Sequence, residues 1–258
     1  MLVIPVLNEA HVLEQSLAKI RGFLSACFPF PAQVLIADNG STDGTNDLAR
    51  SLADRFDDTA ALLIDKPGRG RALRQAWSGS DADIMEYTDV DISTDLAALE
   101  PMCRAIWEEG YDIAAGSRLL RESTVTRGWR RELISRAYNL LVRHSLRTHF
   151  SDAQCGFKAV SREVAHGLVP RIQDDSWFFD TELLTLAERM GYRIKDLPVT
   201  WIDDEDSRVK IIRTALDDIS GIRRVRRQLR AGIQPRPAAT DRPDRRNQQR
   251  REEEHAAR

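Results

Sequence analysis

Long apolar runs, cysteines and a basic N-terminal leader are scarce or missing in this sequence of 258 residues. Nowhere do roughly 18 apolar residues follow one another, so no segment is predicted to cross a membrane as a helix. The three cysteines are an odd count without metal-ligand spacing, which predicts a reduced, cytosolic environment and no disulfide framework. The apolar start of the chain lacks a basic leader and therefore indicates a buried strand rather than a signal peptide. We expect a cytoplasmic protein that is soluble or peripheral at the membrane.

Charge is distributed unevenly along the chain, although the net charge is only -2. Residues 1–207 carry 33 acidic side chains against 23 basic ones, whereas residues 208–230 carry two acidic against eight basic ones. We therefore predict one large domain at 1–207, a basic segment at 208–230 and a tail at 231–258. The tail is rich in Pro, Arg, Gln and Glu, which predicts disorder.

The basic segment carries apolar residues at three- and four-residue steps, which predicts an amphipathic helix. These residues are Ile212, Leu216, Ile219, Ile222, Val225 and Leu229. A basic helix with one apolar stripe suits an anionic membrane surface. The same stripe suits packing on the large domain or on a second subunit, so both alternatives stay open here. A homo-oligomer and a membrane-protein partner belong to the same set of hypotheses.

Short apolar runs alternate with helical patterns through the large domain. Strands are predicted at 2–6, 34–37, 60–64, 84–87 and 113–115. Helices are predicted at about 9–24, after residue 43, near residue 69 and near residue 94. Strands separated by helices indicate an α/β fold whose mainly parallel sheet is covered by helices on both faces.

Four polar clusters follow the predicted strands, at the sheet edge where open α/β folds bind ligands. They are Asn8-Glu9, Asp38-Asn39, Lys66 and Asp89-Val90-Asp91. Residues i and i+2 at an extended strand end project to the same side, so Asp89 and Asp91 can share one hard divalent cation with phosphate oxygens. Taken singly, the Asp38 cluster fits a strand-to-helix turn equally well, whereas a lone Asp-x-Asp or a lone loop after Lys66 more often belongs to a solvated turn. The loop after Lys66 suits phosphate binding at a helix N-terminus but lacks the Gly-Lys-Ser/Thr of a Walker A motif.

Seven motifs in a fixed order carry a resemblance to a known family. They are Ile4-Pro5-Val6-Leu7-Asn8-Glu9, Asp38-Asn39-Gly40-Ser41-Thr42-Asp43-Gly44-Thr45, Lys66 with Gly68 and Gly70, Asp89-Val90-Asp91, Gly116-Ser117-Arg118, Asp152-Ala153-Gln154-Cys155-Gly156-Phe157-Lys158 and Phe179-Asp180-Thr181-Glu182-Leu183-Leu184. Over residues 2 to about 210, the set resembles the family 2 glycosyltransferases, in particular the polyprenyl-phosphate (dolichyl-phosphate) glucosyl- and mannosyltransferases. The resemblance implies a GT-A-type domain. It also implies inverting transfer of a hexose from a nucleoside diphosphate sugar, which we expect to be UDP-glucose, to a polyprenyl phosphate.

The resemblance also assigns roles to individual residues. Donor binding is assigned to Pro5, Asn8, Glu9, Asp38, Lys66 and Asp89, and Mg²⁺ or Mn²⁺ binding to Asp89 and Asp91. Binding of the acceptor phosphate is assigned to Arg118, Arg131, Lys158, Ser207 and Arg208. The candidate catalytic carboxylates are Asp152, Asp180 and Glu182, whose separate roles the sequence does not distinguish.

The predicted acceptor agrees with the abundance of cationic candidates. A sugar hydroxyl needs a general base during attack, whereas a phosphate monoester is already largely anionic at neutral pH. A phosphate acceptor therefore needs positive side chains more than it needs a base.

Two other functions are kept as hypotheses. The first is the same donor chemistry on a soluble hydroxyl acceptor. The second is a non-catalytic adaptor that contacts a membrane or nucleic acid through the basic C-terminal end. The acidic large domain and the lack of a stacking pattern of aromatic residues among the arginines weigh against nucleic acid.

Overall fold

A central sheet of seven strands organises the computed structural model, which describes residues 1–202, 211–233 and 235–236. Seven strands of the described residues form this sheet: Leu2–Val6 (β1), Val34–Asn39 (β2), Thr59–Ile64 (β3), Ile84–Thr88 (β4), Ile113–Ser117 (β5), Phe157–Ser161 (β7) and Ile194–Pro198 (β8). Two further strands, Thr124–Thr126 (β6) and Thr200–Ile202 (β9), lie outside it. The α-helices are Leu13–Cys27 (α1), Thr45–Arg55 (α2), Arg69–Ser78 (α3), Leu99–Trp107 (α4), Trp129–Leu146 (α5), Arg162–Gly167 (α6), Phe179–Met190 (α7) and Ile211–Arg230 (α8). Within the described chain, none of these helices has the length and apolarity needed to span a bilayer.

The strand order in the large sheet is β3-β2-β1-β4-β7-β5-β8. Its strand pairs are parallel except where β7 runs antiparallel to β4 and β5. Strands β6 and β9 form a separate parallel pair. The predicted α/β fold with a mainly parallel sheet is thus confirmed. The sequence did not predict β7, because a charged residue, Lys158, interrupts its short apolar run.

Hydrophobic clusters lie on both faces of the sheet. Helices α3, α5, α6, α7 and α8 contribute to one cluster, and α1, α2 and α4 contribute to the other. Along β1, Val3 belongs to the first cluster, whereas Leu2 and Ile4 belong to the second. This alternation follows from the two-residue period of an extended strand. Both faces are therefore covered, and the strand ends remain as the place for a site.

The first helix begins later than its pattern predicts, at Leu13 rather than near Glu9. Asn8 has a φ of 58°, in the left-handed region, and the Glu9 carbonyl accepts the N–H groups of Val12 at 3.1 Å and Leu13 at 3.0 Å. These bonds close a turn between β1 and α1. The turn keeps Asn8 and Glu9 at the sheet edge instead of on the helix.

Helix α8 packs on the large domain through part of its apolar stripe. Ile222 and Val225 are buried in the core, while Ile219 stays 40% exposed. A Cβ on Gly221 would lie 2.5 Å from the Phe178 ring, so only glycine permits this close contact. Of the two alternatives for the stripe, packing on the domain is therefore observed at Ile222 and Val225.

The packed part of the chain continues past α8 into the segment predicted to be disordered. The Arg236 backbone N–H donates to the Met190 carbonyl at 3.1 Å, and its guanidinium lies 3.0 Å from the buried carboxylate of Asp112. Arg236 thus makes packed contacts within this segment, and the disordered tail predicted for 231–258 stays a prediction. Residues 203–210, 234 and 237–258 lie outside the described residues, and so do the predicted site residues Ser207 and Arg208.

Candidate active site

The loops that follow β1 and β2 are joined by hydrogen bonds between side chains and backbone. The Asn8 carboxamide oxygen accepts the Thr42 backbone N–H at 2.8 Å, and the Asn8 backbone N–H donates to the Ser41 hydroxyl at 2.8 Å. The Ser41 hydroxyl in turn donates to the carboxylate of Asp38, which is buried. The Glu9 backbone N–H donates to the Thr45 hydroxyl, at the first residue of α2. The predicted donor residues after β1 and β2 therefore lie together at one sheet edge.

Asn39 connects the same edge to the loop that precedes α3. Its amide group donates to the Val6 carbonyl at 2.7 Å and its carboxamide oxygen accepts the Gly68 N–H at 3.0 Å. Lys66 is exposed in this loop, whereas Pro5 is buried within β1. Of the predicted donor residues, Pro5 is thus part of the strand interior, whereas Lys66 is an exposed cation in a loop.

Asp89 and Asp91 follow β4 at the same edge. Asp91 is exposed, and its carboxylate accepts the Ser93 N–H at 3.0 Å. Partial burial raises the pKa of Asp89, whose side chain keeps 38% of its surface exposed; Arg69 opposes this shift and Asp91 adds to it. A Cβ on Gly156 would lie 1.8 Å from one Asp89 oxygen, so the absence of a side chain there makes room for this carboxylate.

The two carboxylates fit a divalent cation by the chemistry of their donor atoms. Both supply hard oxygen ligands, and they stand two residues apart at the end of β4. No group of three or more His, Cys, Asp or Glu side chains among the described residues could hold a metal. Two carboxylates suit Mg²⁺ or Mn²⁺, since such ions commonly complete their coordination with substrate phosphates and water.

Arg69, the first residue of α3, connects two acidic groups beneath this edge. Its guanidinium lies 2.8 Å from Asp180, 3.1 Å from Asp89 and 2.9 Å from the Tyr87 hydroxyl. Burial opposes its charge, but Asp89, Tyr87 and Asp180 together hold the pKa of Arg69 well above its usual value. Asp180, 1% exposed, also accepts the Tyr87 hydroxyl at 2.7 Å and lies 3.2 Å from the Lys158 ammonium. Every side chain in this cluster is thus already paired.

Lys158 was predicted to bind the acceptor phosphate, but its side chain has no exposed surface. Its ammonium donates to the Cys155 carbonyl at 2.5 Å and lies beside Asp180. The structure therefore gives Lys158 a role in holding Asp180. A direct contact with phosphate would require it to leave both partners.

Asp152 is completely buried and pairs with Arg118 through a two-pronged contact. The Arg118 guanidinium lies 2.8 and 3.0 Å from the two carboxylate oxygens, and the Arg118 backbone N–H donates to the same carboxylate. Burial alone would raise the pKa of Asp152, but the Arg118 charge and hydrogen bonds hold it well below the usual value. Asp152 therefore fixes Arg118 at the end of β5.

Glu182, on α7, is buried and fixes the preceding loop. Its carboxylate accepts the backbone N–H groups of Gln173 at 3.0 Å and Asp174 at 3.1 Å. Arg224 of α8 contacts the Glu182 carboxylate at 2.7 Å and that of Asp174 at 2.8 Å. Glu182 thus connects α8 to the loop that lies against α3.

Two arginines lie near the ring of Trp201, which is close to the loop that contains Asp91. The guanidinium carbons of Arg118 and Arg127 lie 5.4 and 5.8 Å from the Trp201 ring centroid. The neighbouring Ile202 donates its backbone N–H to Ser93 at 2.9 Å, which attaches β9 to this loop. Arg131, which was predicted to bind the acceptor phosphate, is half-buried in the first turn of α5.

Sequence reasoning missed four residues of this site. They are Arg69, Tyr87, Arg127 and Trp201. Arg69 stands between two glycines of a recognised loop, and Tyr87 stands two residues before Asp89, so position in the motif was the only available signal. Arg127 and Trp201 lie in segments that carried no motif, so nothing in the sequence connected them to the site.

Comparison with known proteins agrees with this geometry. The profile described as Glycosyl transferase family 2 matches residues 1–168. Together with the fold and the edge site, this match defines the protein class: the chain belongs to glycosyltransferase family 2 and is an enzyme of that family.

Among its relatives, the chain is 37% identical to the glycosyltransferase AglD of Haloferax volcanii over 216 residues, which are 83% of this chain and 35% of AglD. It is 27% identical to the dolichyl-phosphate beta-glucosyltransferase of Mus musculus over 222 residues, which are 80% of this chain and 68% of that protein. The chain thus spans about a third of AglD and about two thirds of the mouse enzyme.

Among solved structures, glucosyl-3-phosphoglycerate synthase of Mycobacterium tuberculosis in complex with UDP superposes with a TM-score of 0.61 at 20% identity. The match covers 86% of this chain and 77% of that one. At this identity the similarity establishes the GT-A fold.

Proposed function

We propose that this enzyme transfers a hexose, with inversion, from UDP-glucose to a polyprenyl phosphate in a metal-dependent reaction. One observation carries the choice of acceptor. Each of the three candidate catalytic carboxylates is at most 1% exposed and is ion-paired with an arginine: Asp152 with Arg118, Asp180 with Arg69 and Glu182 with Arg224. Each is therefore committed to an arginine and has almost no exposed surface at which an acceptor hydroxyl could reach it.

An acceptor that arrives as an anion needs no such base. A phosphate monoester has its second pKa near 6 and attacks as a largely deprotonated oxygen at neutral pH. It needs cations that hold it beside the donor, and guanidinium groups match phosphate oxygens in pairs. Arg118 and Arg131 remain our proposed phosphate ligands, with Ser207 and Arg208 as proposed partners outside the described residues.

The donor would lie along the interlocked loops after β1, β2 and β4. In this proposal Pro5, Asn8, Glu9, Asp38 and Lys66 line the nucleoside site, and the hydrogen bonds through Ser41 hold Asn8 and Asp38 together. Asp89 and Asp91 would hold Mg²⁺ or Mn²⁺, which would neutralise the charge that develops on the leaving diphosphate. Arg69 keeps Asp89 in position from below.

The relatives support the acceptor and donor proposals. Six of the similar proteins, from mouse, human, fly, slime mould and Trichomonas, are dolichyl-phosphate beta-glucosyltransferases. The mycobacterial synthase has been crystallised with Mn²⁺ and UDP-glucose. We place the reaction at the cytoplasmic face of a membrane, where a polyprenyl phosphate and a nucleotide sugar meet.

The decisive test measures release of nucleoside diphosphate from UDP-glucose and GDP-mannose, with Mg²⁺ or Mn²⁺, with and without a short-chain polyprenyl phosphate. We expect release from UDP-glucose that depends on both the metal and the lipid phosphate. Asp91→Ala should abolish this turnover, whereas Asp57→Ala, at an exposed aspartate remote from the site, should leave it unchanged. Full activity of Asp91→Ala would contradict the metal assignment.

The same assay separates the two other hypotheses. Turnover with 3-phosphoglycerate or a simple hydroxyl compound, without stimulation by lipid phosphate, would establish a soluble acceptor. Salt-sensitive nucleic-acid binding without any binding of sugar nucleotide would establish the adaptor.

A further inference from the structure

The outer face of α5 carries most of the exposed large hydrophobic side chains of the described chain. Nine large hydrophobic side chains are exposed among the described residues, and five of them lie on this one helix. They are Trp129 (72% exposed), Leu133 (61%), Ile134 (46%), Leu140 (70%) and Leu141 (45%). Their spacing of four and seven residues places them along one side of the helix. Single exposed apolar residues are ordinary, but a continuous row indicates a contact surface.

The inner face of α5 is attached to the active site. The Asn139 carboxamide oxygen accepts the Ala153 N–H at 2.8 Å, next to Asp152, and Tyr138 contacts the Thr181 hydroxyl at 2.8 Å, next to Asp180. Val142 is buried in the core. The helix therefore has a fixed orientation, with one face on the catalytic segments and the apolar face turned outward.

Charge around the outer face identifies the kind of partner. Helix α5 carries four arginines and one glutamate. That glutamate, Glu132, is neutralised by Arg127 and Arg136. Arg130 and Arg143 are exposed, and the Arg130 guanidinium lies 5.3 Å from the Trp129 ring centroid. An apolar row bordered by arginines fits a surface that is apolar at depth and anionic at its boundary. Two copies of this face would bring their arginines together, which disfavours self-association.

Helix α8 lacks this combination in its described part. Its arginines Arg223, Arg226 and Arg227 are exposed, but Ile222 and Val225 point into the core. It can offer charge to a membrane, with Ile219 as its exposed large apolar side chain. Helix α5 offers both charge and a full apolar row.

We propose that α5 lies in the plane of an anionic bilayer, with Trp129, Leu133 and Leu140 inserted below the headgroups and the arginines at headgroup level. An amphipathic helix with Trp and Leu on one side and Arg at its margins binds membranes in this way. Because the inner face of α5 holds the Asp152 and Asp180 segments, this contact positions the cleft at the membrane surface. The biological purpose of the contact rests on the proposed lipid-phosphate acceptor; the contact itself requires neither donor nor acceptor.

The test is sedimentation of the full chain with vesicles of phosphatidylcholine, with and without phosphatidylglycerol, in the absence of substrates. We expect binding to the anionic vesicles and weaker binding when phosphatidylglycerol is left out. Replacing Trp129, Leu133 and Leu140 together by serine should weaken binding by roughly tenfold or more. The double variant Arg130→Gln, Arg143→Gln should remove the dependence on phosphatidylglycerol. The matched control, Ile219→Ser on α8, should bind as the wild type does.

Folding and activity are controlled separately. All substituted side chains are exposed, so thermal unfolding should be unchanged, and turnover of a short-chain acceptor without vesicles should persist in the triple variant. Wild-type protein that fails to bind anionic vesicles would overturn the proposal, as would a triple variant that binds them normally. Loss of binding in Ile219→Ser alone would assign the contact to α8 instead. A concentration-dependent dimer that only the triple variant abolishes would show that a second copy covers the face.

Discussion

Arg69 is the residue on which the two acidic groups of the cleft converge. Its guanidinium forms ion pairs with Asp89 and with Asp180. The Tyr87 hydroxyl makes hydrogen bonds with both Arg69 and Asp180. Arg69→Ala would leave the buried Asp180 with Lys158 as its remaining cation. We expect a loss of roughly 3 kcal/mol in the free energy of unfolding, the usual cost of removing one partner of a buried ion pair. Donor turnover should also fall, because Asp89 loses its support.

Two variants control this prediction. Arg69→Lys keeps the charge but cannot form the same fork of hydrogen bonds, so it should recover stability better than activity. Arg55→Ala removes an exposed arginine paired with Glu14 and should change stability by no more than about 1 kcal/mol. Chemical denaturation and steady-state kinetics on the same preparations measure both effects. Normal donor turnover in Arg69→Ala would contradict the role assigned to this residue.

The substitution Gly156→Ala tests the position of the Asp89 carboxylate, because it adds only one methyl group beside it. The added methyl group of Gly156→Ala would lie 1.8 Å from one Asp89 oxygen and 2.7 Å from its carboxyl carbon, so the carboxylate must move. We expect weaker binding of Mn²⁺ with UDP-glucose, measured by titration calorimetry. Gly22→Ala is the matched control, since its methyl group meets nothing within 4 Å. Equal binding by the two variants would show that Asp89 is not a metal ligand.

At the scale of elements, the contact between α8 and the domain contains a buried acid. Asp218 is 4% exposed, and burial, with Asp174 and Asp217 nearby, raises its pKa to about 7 despite a hydrogen bond with Tyr138. Arg224, one turn and a half further on, faces the same Asp174. The folded state thus holds a proton on Asp218 that the unfolded chain releases near pH 4. Stability contributed by this site is therefore largest below about pH 4 and is lost as the pH rises to about 7.

Asp218→Asn should remove this pH dependence. Relative to the wild type, the variant should gain stability as the pH rises from about 4 to 7, by an amount on the order of 2–4 kcal/mol at neutral pH. Asp217→Asn, which removes only a neighbouring exposed charge and leaves Asp218 buried, should show a much smaller trend. Denaturant unfolding at several pH values measures the difference between each variant and the wild type. Parallel curves for Asp218→Asn and the wild type would contradict the raised pKa.

The sequence predicted elements wherever one local pattern was sufficient. Apolar runs located the first five sheet strands, because buried parallel strands are apolar along their whole length. Strand β7 could not be found in this way, since the ion pair that lets Lys158 sit inside a sheet comes from α7. The stripe on α8 predicted a helix, but not whether a membrane or the protein covers it.

The same limit applies to the site. Motifs located the loops that hold the donor residues, and these loops do meet at one edge. The partners of the carboxylates could not be predicted, because they depend on distant contacts: Arg69 and Asp180 are 111 residues apart in the sequence. The sequence therefore left the separate roles of Asp152, Asp180 and Glu182 undistinguished, whereas in the structure each is held by an arginine.

At the scale of the whole molecule, the described part of α8 packs closely on the large domain. Ile222 and Val225 complete the core, Gly221 lies against Phe178, and Arg224 fixes Glu182. The predicted division at residue 207 follows the change in charge, but packing crosses it. A unit that ends there would expose apolar surface and release the loop before α7.

Truncation distinguishes these two descriptions of the chain. A protein that ends at residue 210 should lose roughly 10 °C in unfolding temperature, since the contacts of two buried aliphatic side chains and a buried ion pair are removed. It should also bind a hydrophobic dye, because Phe178 and the core beneath α8 become exposed. A protein that ends at residue 236 keeps α8 and the Arg236 pair with Asp112, so it should unfold at the wild-type temperature. If the shorter protein were as stable as the longer one, 1–207 would be an independent domain, and α8 would then be free to leave it for another partner.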